Sequence, residues 1–259
     1  MKDSLVQLTR YWHIVRFKTY ANLKRDIDKT YLGTLWWVLE PILSTAVFYV
    51  VFTHIIHNRT PNMAAFLFIG NVVYNHFASS INGGANAIVG NAGLMQQVQL
   101  PKSIYPIIAI ANLSWKFVFS LVVVFPLFWI LHCPVSLPYL ALPVLLFLQL
   151  FVVVSVSMPL SILMPYFQDG RTLLSTLLGI MIWVSGVFFP LTKVPEAFRP
   201  WFYLNPAVPL IEGYRDILMN QSWPRWSHFL PSLTLCALAL ASGFWLIRKL
   251  GGQITKRAL

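Results

Sequence analysis

The sequence predicts an all-α membrane protein with six transmembrane helices, an N-terminal amphipathic helix in the membrane interface, and a re-entrant helix pair before the last span. Three observations predict it. Of the 259 residues, 57% are hydrophobic and only 10% are charged. That is more apolar side chain than a globule can hide from water, and lipid is the solvent that accepts it. Six apolar runs are each long enough to cross about 30 Å of hydrocarbon, which takes roughly 20 residues. The basic residues, finally, are shared unequally between the two sides that those runs define.

The runs fall at about 35–57, 63–84, 104–131, 139–166, 172–190 and 227–247. Proline and glycine inside them are tolerated where neighbouring helices re-satisfy the freed backbone. Pro143, Pro159 and Pro165 predict a kink or break in the fourth run. With the N-terminus cytoplasmic, thirteen cations lie on the inner side: Lys2, Arg10, Arg16, Lys18, Lys24, Arg25, Lys29, Lys102, Arg171, Arg248, Lys249, Lys256 and Arg257. Five lie outside: Arg59, Lys193, Arg199, Arg215 and Arg225. This bias predicts a multi-pass membrane protein with both termini in the cytoplasm. It also explains the net charge of +11 without nucleic acid.

One domain covers 1–259: an interfacial segment at 1–33, the spans over 35–247 and a cytoplasmic tail at 248–259. Residues 1–30 hold seven basic and three acidic residues and no continuous apolar core, unlike a cleavable signal peptide. Between Leu5 and Leu23 the apolar residues Leu5, Leu8, Trp12, Val15 and Tyr20 recur near helical spacing, with Arg10, Arg16 and Lys18 between them. Such a helix places its aromatics among lipid headgroups and its cations against anionic lipid. From 191 to 226 the chain is too aromatic for a solvated loop and too rich in proline and charge to span. Two short helices dipping into the outer leaflet satisfy both facts.

No Gly-x-x-x-x-Gly-Lys-Ser/Thr loop is present, so nothing cradles nucleotide phosphates in the Walker manner. His-Glu-x-x-His and Gly-x-Ser-x-Gly are also absent. Cys133 and Cys236 sit in or beside apolar runs as packing residues. The chain is expected to be no enzyme and to hold no cofactor or metal. The eight acidic residues are scattered, unlike the clustered acids a membrane glycosyltransferase needs. A secondary carrier would show buried carboxylates or an internal repeat.

Charges within apolar runs are functional candidates. Lys116, in the third run, lines a polar pathway or meets a passing anion, or else is hydrogen-bonded between helices. Glu40, before Pro41, caps the first helix or pairs with the basic N-terminal segment. Trp36, Trp37, Phe48, Tyr49 and Phe52 in the first run, with Trp183, Phe188 and Phe189 in the fifth, exceed what interfacial belts require. Aromatic faces stack on sugar rings, so these eight residues and Lys116 are candidates for a substrate channel. Lipid contact and helix packing are the competing roles.

Three stretches resemble one family. Leu23–Ile42 contains Tyr-Leu-Gly-Thr-Leu-Trp and a proline at the start of the first run. Asn91–Pro106 contains Val-Gln-Leu-Pro-Lys-Ser-Ile-Tyr-Pro. Trp183–Met219 contains Ser-Gly-Val-Phe-Phe-Pro, Leu-Asn-Pro and Glu-Gly-Tyr-Arg-Asp-Ile-Leu. Together they resemble the ABC-2 type permeases that export lipid-linked polysaccharides, most closely the O-antigen type. Capsule, teichoic acid and small-molecule exporters of the family share these features. The resemblance implies a homodimer joined to two cytoplasmic ATPase subunits, which bind ATP and magnesium, and a lipid-linked glycan moving between the two permeases. By position it implies ATPase-coupling contacts at Gln96, Gln97, Leu100, Pro101 and Lys102. The turn at Gln168–Arg171, with Asp169 and Arg171, is a second contact inferred from placement. Gly186 to Arg215 would form the outer gate, with Pro190, Glu212 and Tyr214 in it. Glu212 and Arg215, three apart, are placed to pair on one helical face, with a surface pair of no consequence as the competing reading. On that reading, Arg215→Ala spares assembly and slows export.

Overall fold

A computed structural model describes residues 2–57, 60–97, 100–130, 136–167 and 169–250. Arg59, Val98, Gln99, Cys133, Gln168, Lys256, Arg257 and the rest of the tail lie outside them, as do the side chains of Leu5, Leu8 and Gln96. The described residues form helices and connecting turns without strands.

The first helix, α1 (Lys2–Asp28), turns through Gly33–Leu35 into α2 (Trp36–Val50), whose last turn widens into a π-helix at Val51–Ile55. Next come α3 (Met63–Gly90), the short α4 (Ala92–Gln97) and α5 (Ile104–Ile130). A 3-10 turn at Leu137–Ala141 leads into α6 (Leu142–Leu163), followed by α7 (Gly170–Met181). The four-residue α8 (Arg199–Phe202) and α9 (Ala207–Leu218) precede α10 (Leu230–Leu250).

Four continuous helical segments among the described residues are long and apolar enough to cross a membrane: Gly33–Ile55, Ile104–Val123, Leu137–Tyr166 and Trp226–Leu250. Two of the six expected spans fall short, each for its own reason. The second is α3, whose 28 residues reach about 42 Å at 1.5 Å per residue. Its length suffices, but asparagine, serine, histidine and glycine dilute its hydropathy. The fifth is Gly170–Val184, apolar but only roughly 22 Å long.

The polarity of α3 follows from its place in the fold. It packs against α2, α5, α6, α7 and α9, and 19 of its 28 residues are buried. Over most of its surface such a helix meets protein, and several of its polar side chains find partners there. Gln149 of α6 donates to His76 Nδ1 at 2.6 Å, and His76 Nε2 lies 3.0 Å from Ser114 Oγ of α5. The imidazole also stacks on Phe117, with ring centroids 4.4 Å apart. Gly84 lets α6 approach: a Cβ there would lie 2.7 Å from Ser157 Cβ.

Pro159 sits inside α6 without ending it, and the expected break falls instead at the 3-10 turn Met164–Tyr166, which holds Pro165. Gly243 of α10 packs directly on Pro159, 3.1 Å from its Cδ by a notional Cβ. Cys236 is buried, as a packing residue should be. On α1, Val15 and Leu23 face inward, whereas Trp12, Phe17 and Tyr20 are exposed beside Arg16. Glu40 is exposed, and among the described residues it makes no ion pair with the N-terminal cations.

Candidate functional site

The site is built around α9, of whose twelve residues ten are buried against α3 and α6. Its neighbours in sequence are short turns and the four-residue α8 rather than long helices. The third motif stretch explains how those turns are held. Gly186 adopts φ +71°, a left-handed conformation that glycine takes without a Cβ penalty. This bends the chain after Ile182–Val184 and turns the carbonyls of Gly186 and Val187 towards α9. Ser185 donates to Met181 O at 2.6 Å and accepts from Asn205 Nδ2 at 2.8 Å. Asn205 Oδ1 in turn accepts the Ala207 N–H at 3.0 Å, satisfying an amide at the start of α9.

Arg215 closes the arrangement. It is only 6% exposed. Its Nη1 donates to Gly186 O at 2.7 Å and its Nη2 to Val187 O at 2.9 Å. Nη2 and Nε also donate to Phe66 O of α3, at 3.0 and 3.3 Å. The Phe66 ring lies 3.4 Å from the guanidinium carbon. A planar fork with five donors suits three carbonyls in a way a lysine cannot match. Gly70 completes the pocket, because a Cβ there would lie 2.5 Å from Arg215 Nη2 and 3.2 Å from the Val187 backbone.

The expected Glu212–Arg215 pair is therefore corrected. Arg215 points inward to carbonyl dipoles, while Glu212, about 60° away around the helix, accepts a hydrogen bond from Tyr203 Oη at 2.9 Å. His228 Nδ1 lies 3.7 Å from the same carboxylate. Burial raises the Glu212 pKa, and the Tyr203 hydrogen bond works against that rise. Burial, then the Glu212 charge, raises the pKa of Tyr203. Tyr214 is fully buried and meets Phe117 edge-on at 6.0 Å. Pro190 is half-buried and opens the 3-10 turn Leu191–Lys193.

The aromatic candidates divide into groups. Phe188 is 3% exposed and gathers Phe48 at 4.8 Å, Phe52 at 5.0 Å and Trp183 at 4.6 Å between ring centroids. Its own ring is core, and Trp183 is the exposed member of the four. Tyr49 pairs with His54 and Phe189 with Phe202. Trp37 meets Phe119 edge-on at 5.4 Å, and Trp36 beside it is exposed.

Lys116 has a partner that sequence reading missed. Its Nζ forms an ion pair with Asp26 of α1 at 2.7 Å and lies 5.6 Å from the Trp37 ring. The lysine thus ties α1 to α5 and to the foot of α2, and its charge is neutralised. Both side chains are about a quarter to a third exposed, so solvent screening limits the pair to about 1 kcal/mol. We expect Lys116→Asp and Asp26→Lys each to weaken export and their combination to restore it. Surface polymer in the double variant no higher than in either single would remove the pair's role.

The coupling candidates gather at one end of the bundle. Met95 of α4, Tyr105 and Ile162 form a small core with half-buried Leu100, Tyr166, Leu246 and Leu250. Pro101 and Gln97 are exposed on it, and Lys102 is half-buried, its pKa lowered by that burial. Asp169 and Arg171 are exposed just beyond Met164–Tyr166, the turn that packs on α3.

Residues 16–219 match the model of a family described as ABC-2 type transporter. The chain is 27% identical to the O-antigen export system permease protein RfbA of Myxococcus xanthus, over 84% of this chain and 85% of that protein. A protein of the same name from Klebsiella pneumoniae is 25% identical over 78% of each. The polysialic acid transport protein KpsM of Escherichia coli is 26% identical over 76% of this chain and 78% of its own length.

Proposed function

Because the chain belongs to the ABC-2 type transporter family, we propose that it is the membrane subunit of an exporter that moves a lipid-linked, O-antigen-like polysaccharide across the inner membrane. The observation that carries this reading is the family match over residues 16–219, which takes in every part of the site from α2 to α9. Two relatives are named for O-antigen export and one for polysialic acid transport, so the cargo class is a surface glycan. Energy comes from elsewhere: the sequence holds no Walker loop, and a separate ATPase, in two copies, binds ATP and magnesium.

In this reading α3 and Gly170–Val184 also cross the membrane. That makes six spans, with both termini cytoplasmic and α8–α9 re-entrant from the outer side. The low hydropathy of α3 is compatible with spanning because its neighbours, not lipid, cover it. Two copies of the chain enclose the route. Along α7 only Leu178 is buried, which leaves a long apolar face for lipid or a second copy. The exposed Trp12, Phe17 and Tyr20 of α1 lie in the inner interface, where the lipid-linked cargo arrives. ATPase closure acts on α4 and Gln96, Gln97, Leu100, Pro101 and Lys102, and on Asp169 and Arg171. The Arg215 pocket joins α3 to the Gly186–Val187 turn, so movement of α3 reaches the outer segment through it. The cluster around Phe188 must loosen when that segment opens.

A tagged copy restored to cells deleted for this gene tests the reading. We expect an ATPase subunit to co-purify and surface polysaccharide to return. A partner with no change in surface glycan would discard the cargo. Absence of any ATPase would discard the exporter.

A further inference from the structure

We propose that one face of α3, formed by Asn75, Ser79, Asn82 and Asn86 with the buried Asn71 behind its upper end, is a contact lane for an uncharged, hydroxyl-rich polymer. This rests on the exporter reading and specifies the chemistry of its cargo.

At 100° per residue these four side chains fall within an arc of about 60° and extend roughly 16 Å along the helix, about half of the hydrocarbon thickness. The stripe is not a buried seam. In α3, an interior helix, the exposed residues are Asn75, Ser79 and Gly90, with Asn82 and Asn86 half-buried. Amides and hydroxyls presented to hydrocarbon are unfavourable, so a polar face at this depth requires water or a polar ligand against it.

The amides are held in fixed orientations rather than saturated. Asn75 Nδ2 donates to Asn71 Oδ1 at 3.0 Å, and Asn71 Nδ2 donates to Ser44 Oγ of α2 at 2.7 Å. Lower on the helix, Asn86 Nδ2 donates to Asn82 Oδ1 at 2.8 Å and to the Asn82 carbonyl at 2.9 Å. Asn86 Oδ1 is buried with no hydrogen-bond partner among the described residues. A carboxamide has two donor hydrogens and two acceptor lone pairs, so the exposed Asn75 keeps one Nδ2 hydrogen and the half-buried Asn82 keeps its Nδ2 group for a sugar hydroxyl, which also both donates and accepts, while Asn86 spends both hydrogens in orienting Asn82.

Charge decides the kind of polymer. Met63–Gly90 contains no Asp, Glu, Lys or Arg. The cations on adjoining helices are both engaged: Lys116 of α5 pairs with Asp26, and Arg215 of α9 is buried against the carbonyls of Phe66, Gly186 and Val187. A polyanion in this lane would meet no counter-charge in a medium of low dielectric, whereas a neutral glycan needs none. Successive hydroxyls can exchange along polar groups that recur about once per helical turn, Asn75, Ser79, Asn82 and Asn86, which suits a chain that must keep moving.

The test uses the whole exporter in its native membrane. A benzophenone amino acid placed at Ser79 is photoactivated in cells, with the same residue at lipid-facing Leu235 as control. We expect a glycan ladder cross-linked at 79 and none at 235. Cross-links at 79 to a second copy of the chain, or to lipid alone, would overturn the lane. Separately, Asn75→Leu with Ser79→Leu should remove most surface polymer while the ATPase still co-purifies, and Ser79→Asn should retain it. Undiminished polymer in the double leucine variant would also overturn the proposal. Analysis of the polymer's repeat for uronic acid, sialic acid and phosphate should find none, and finding any would refute an uncharged cargo. If cells lacking the chain keep their surface polymer, the exporter reading itself falls, a result distinct from failure at Ser79 alone.

Discussion

Arg215→Ala yields little folded protein. The substitution removes four hydrogen bonds that hold three carbonyls, two from the Gly186 turn and one from α3. Hydrogen bonds to a charged group contribute about 1.5–3 kcal/mol each. The carbonyls left behind sit in a pocket that the guanidinium had filled, closed to water on the α3 side by Gly70 and Phe66. A loss of about 3–5 kcal/mol is expected, comparable to removing one partner of a buried ionic contact. Size-exclusion chromatography in mild detergent after graded heating measures it. Arg215→Lys should recover only part of the stability, since one ammonium does not reproduce the planar fork. An alanine variant that stays monodisperse, co-purifies with the ATPase and only exports slowly would restore the role first expected from sequence, a charge paired with Glu212 in the gate.

Gly70→Val damages the same joint from the opposite side. A notional Cβ already stands 2.5 Å from Arg215 Nη2 and 3.2 Å from Val187 Cα and O, and valine adds two methyl groups beyond it. Nothing can retreat cheaply, because the guanidinium is tethered and the other contacts are backbone. Overpacking of this kind is worth about 1–3 kcal/mol, and the displaced hydrogen bonds add to it. The informative comparison is a cycle with Gly70→Ala, Arg215→Ala and their combination. If the two residues share one pocket, alanine at 70 destabilises strongly beside Arg215 and weakly once the guanidinium is gone. Additive losses in the heating assay would show that the pocket is not shared.

Sequence reading succeeded where one segment's own composition decides the outcome. The runs at 104–131, 139–166 and 227–247 reappear as long apolar helices because each carries enough apolar length by itself. Pro165 marked a real helix end. Pro159 did not, since the close approach of Gly243 keeps α6 packed through it. The stretch Trp183–Met219 was legible as a motif, but its purpose was not. Ser185, Gly186, Asn205 and Arg215 meet only in space, and the acceptors for Arg215 are main-chain carbonyls that no side-chain pattern advertises. Helical spacing placed Glu212 near Arg215 and suggested a pair, yet periodicity states which face a residue occupies, not what stands opposite. The Lys116 ion pair needed α1 to pack on α5, 90 residues apart at the contact. Phe188 looked like a pathway aromatic from density alone, and three-dimensional packing made it core. The asparagines of α3 were visible in the second run, where their 3–4 spacing was the available signal.

The composition of α3 also bears on how the chain is made. A helix with this many amides and glycines partitions poorly from the translocon into lipid when it is alone. On the six-span reading it would leave as a hairpin with α2, whose Ser44 and Thr45 accept from Asn71. α5 and α6 emerge afterwards and cover His76 and Ser80. The face around Phe66 and Gly70 waits longest, because Arg215 is synthesised 149 residues after the carbonyl it binds. Until α9 is made the Phe66 carbonyl has no partner, and α10, which packs on α6, follows later still, so the surroundings of α3 are finished before the bundle is.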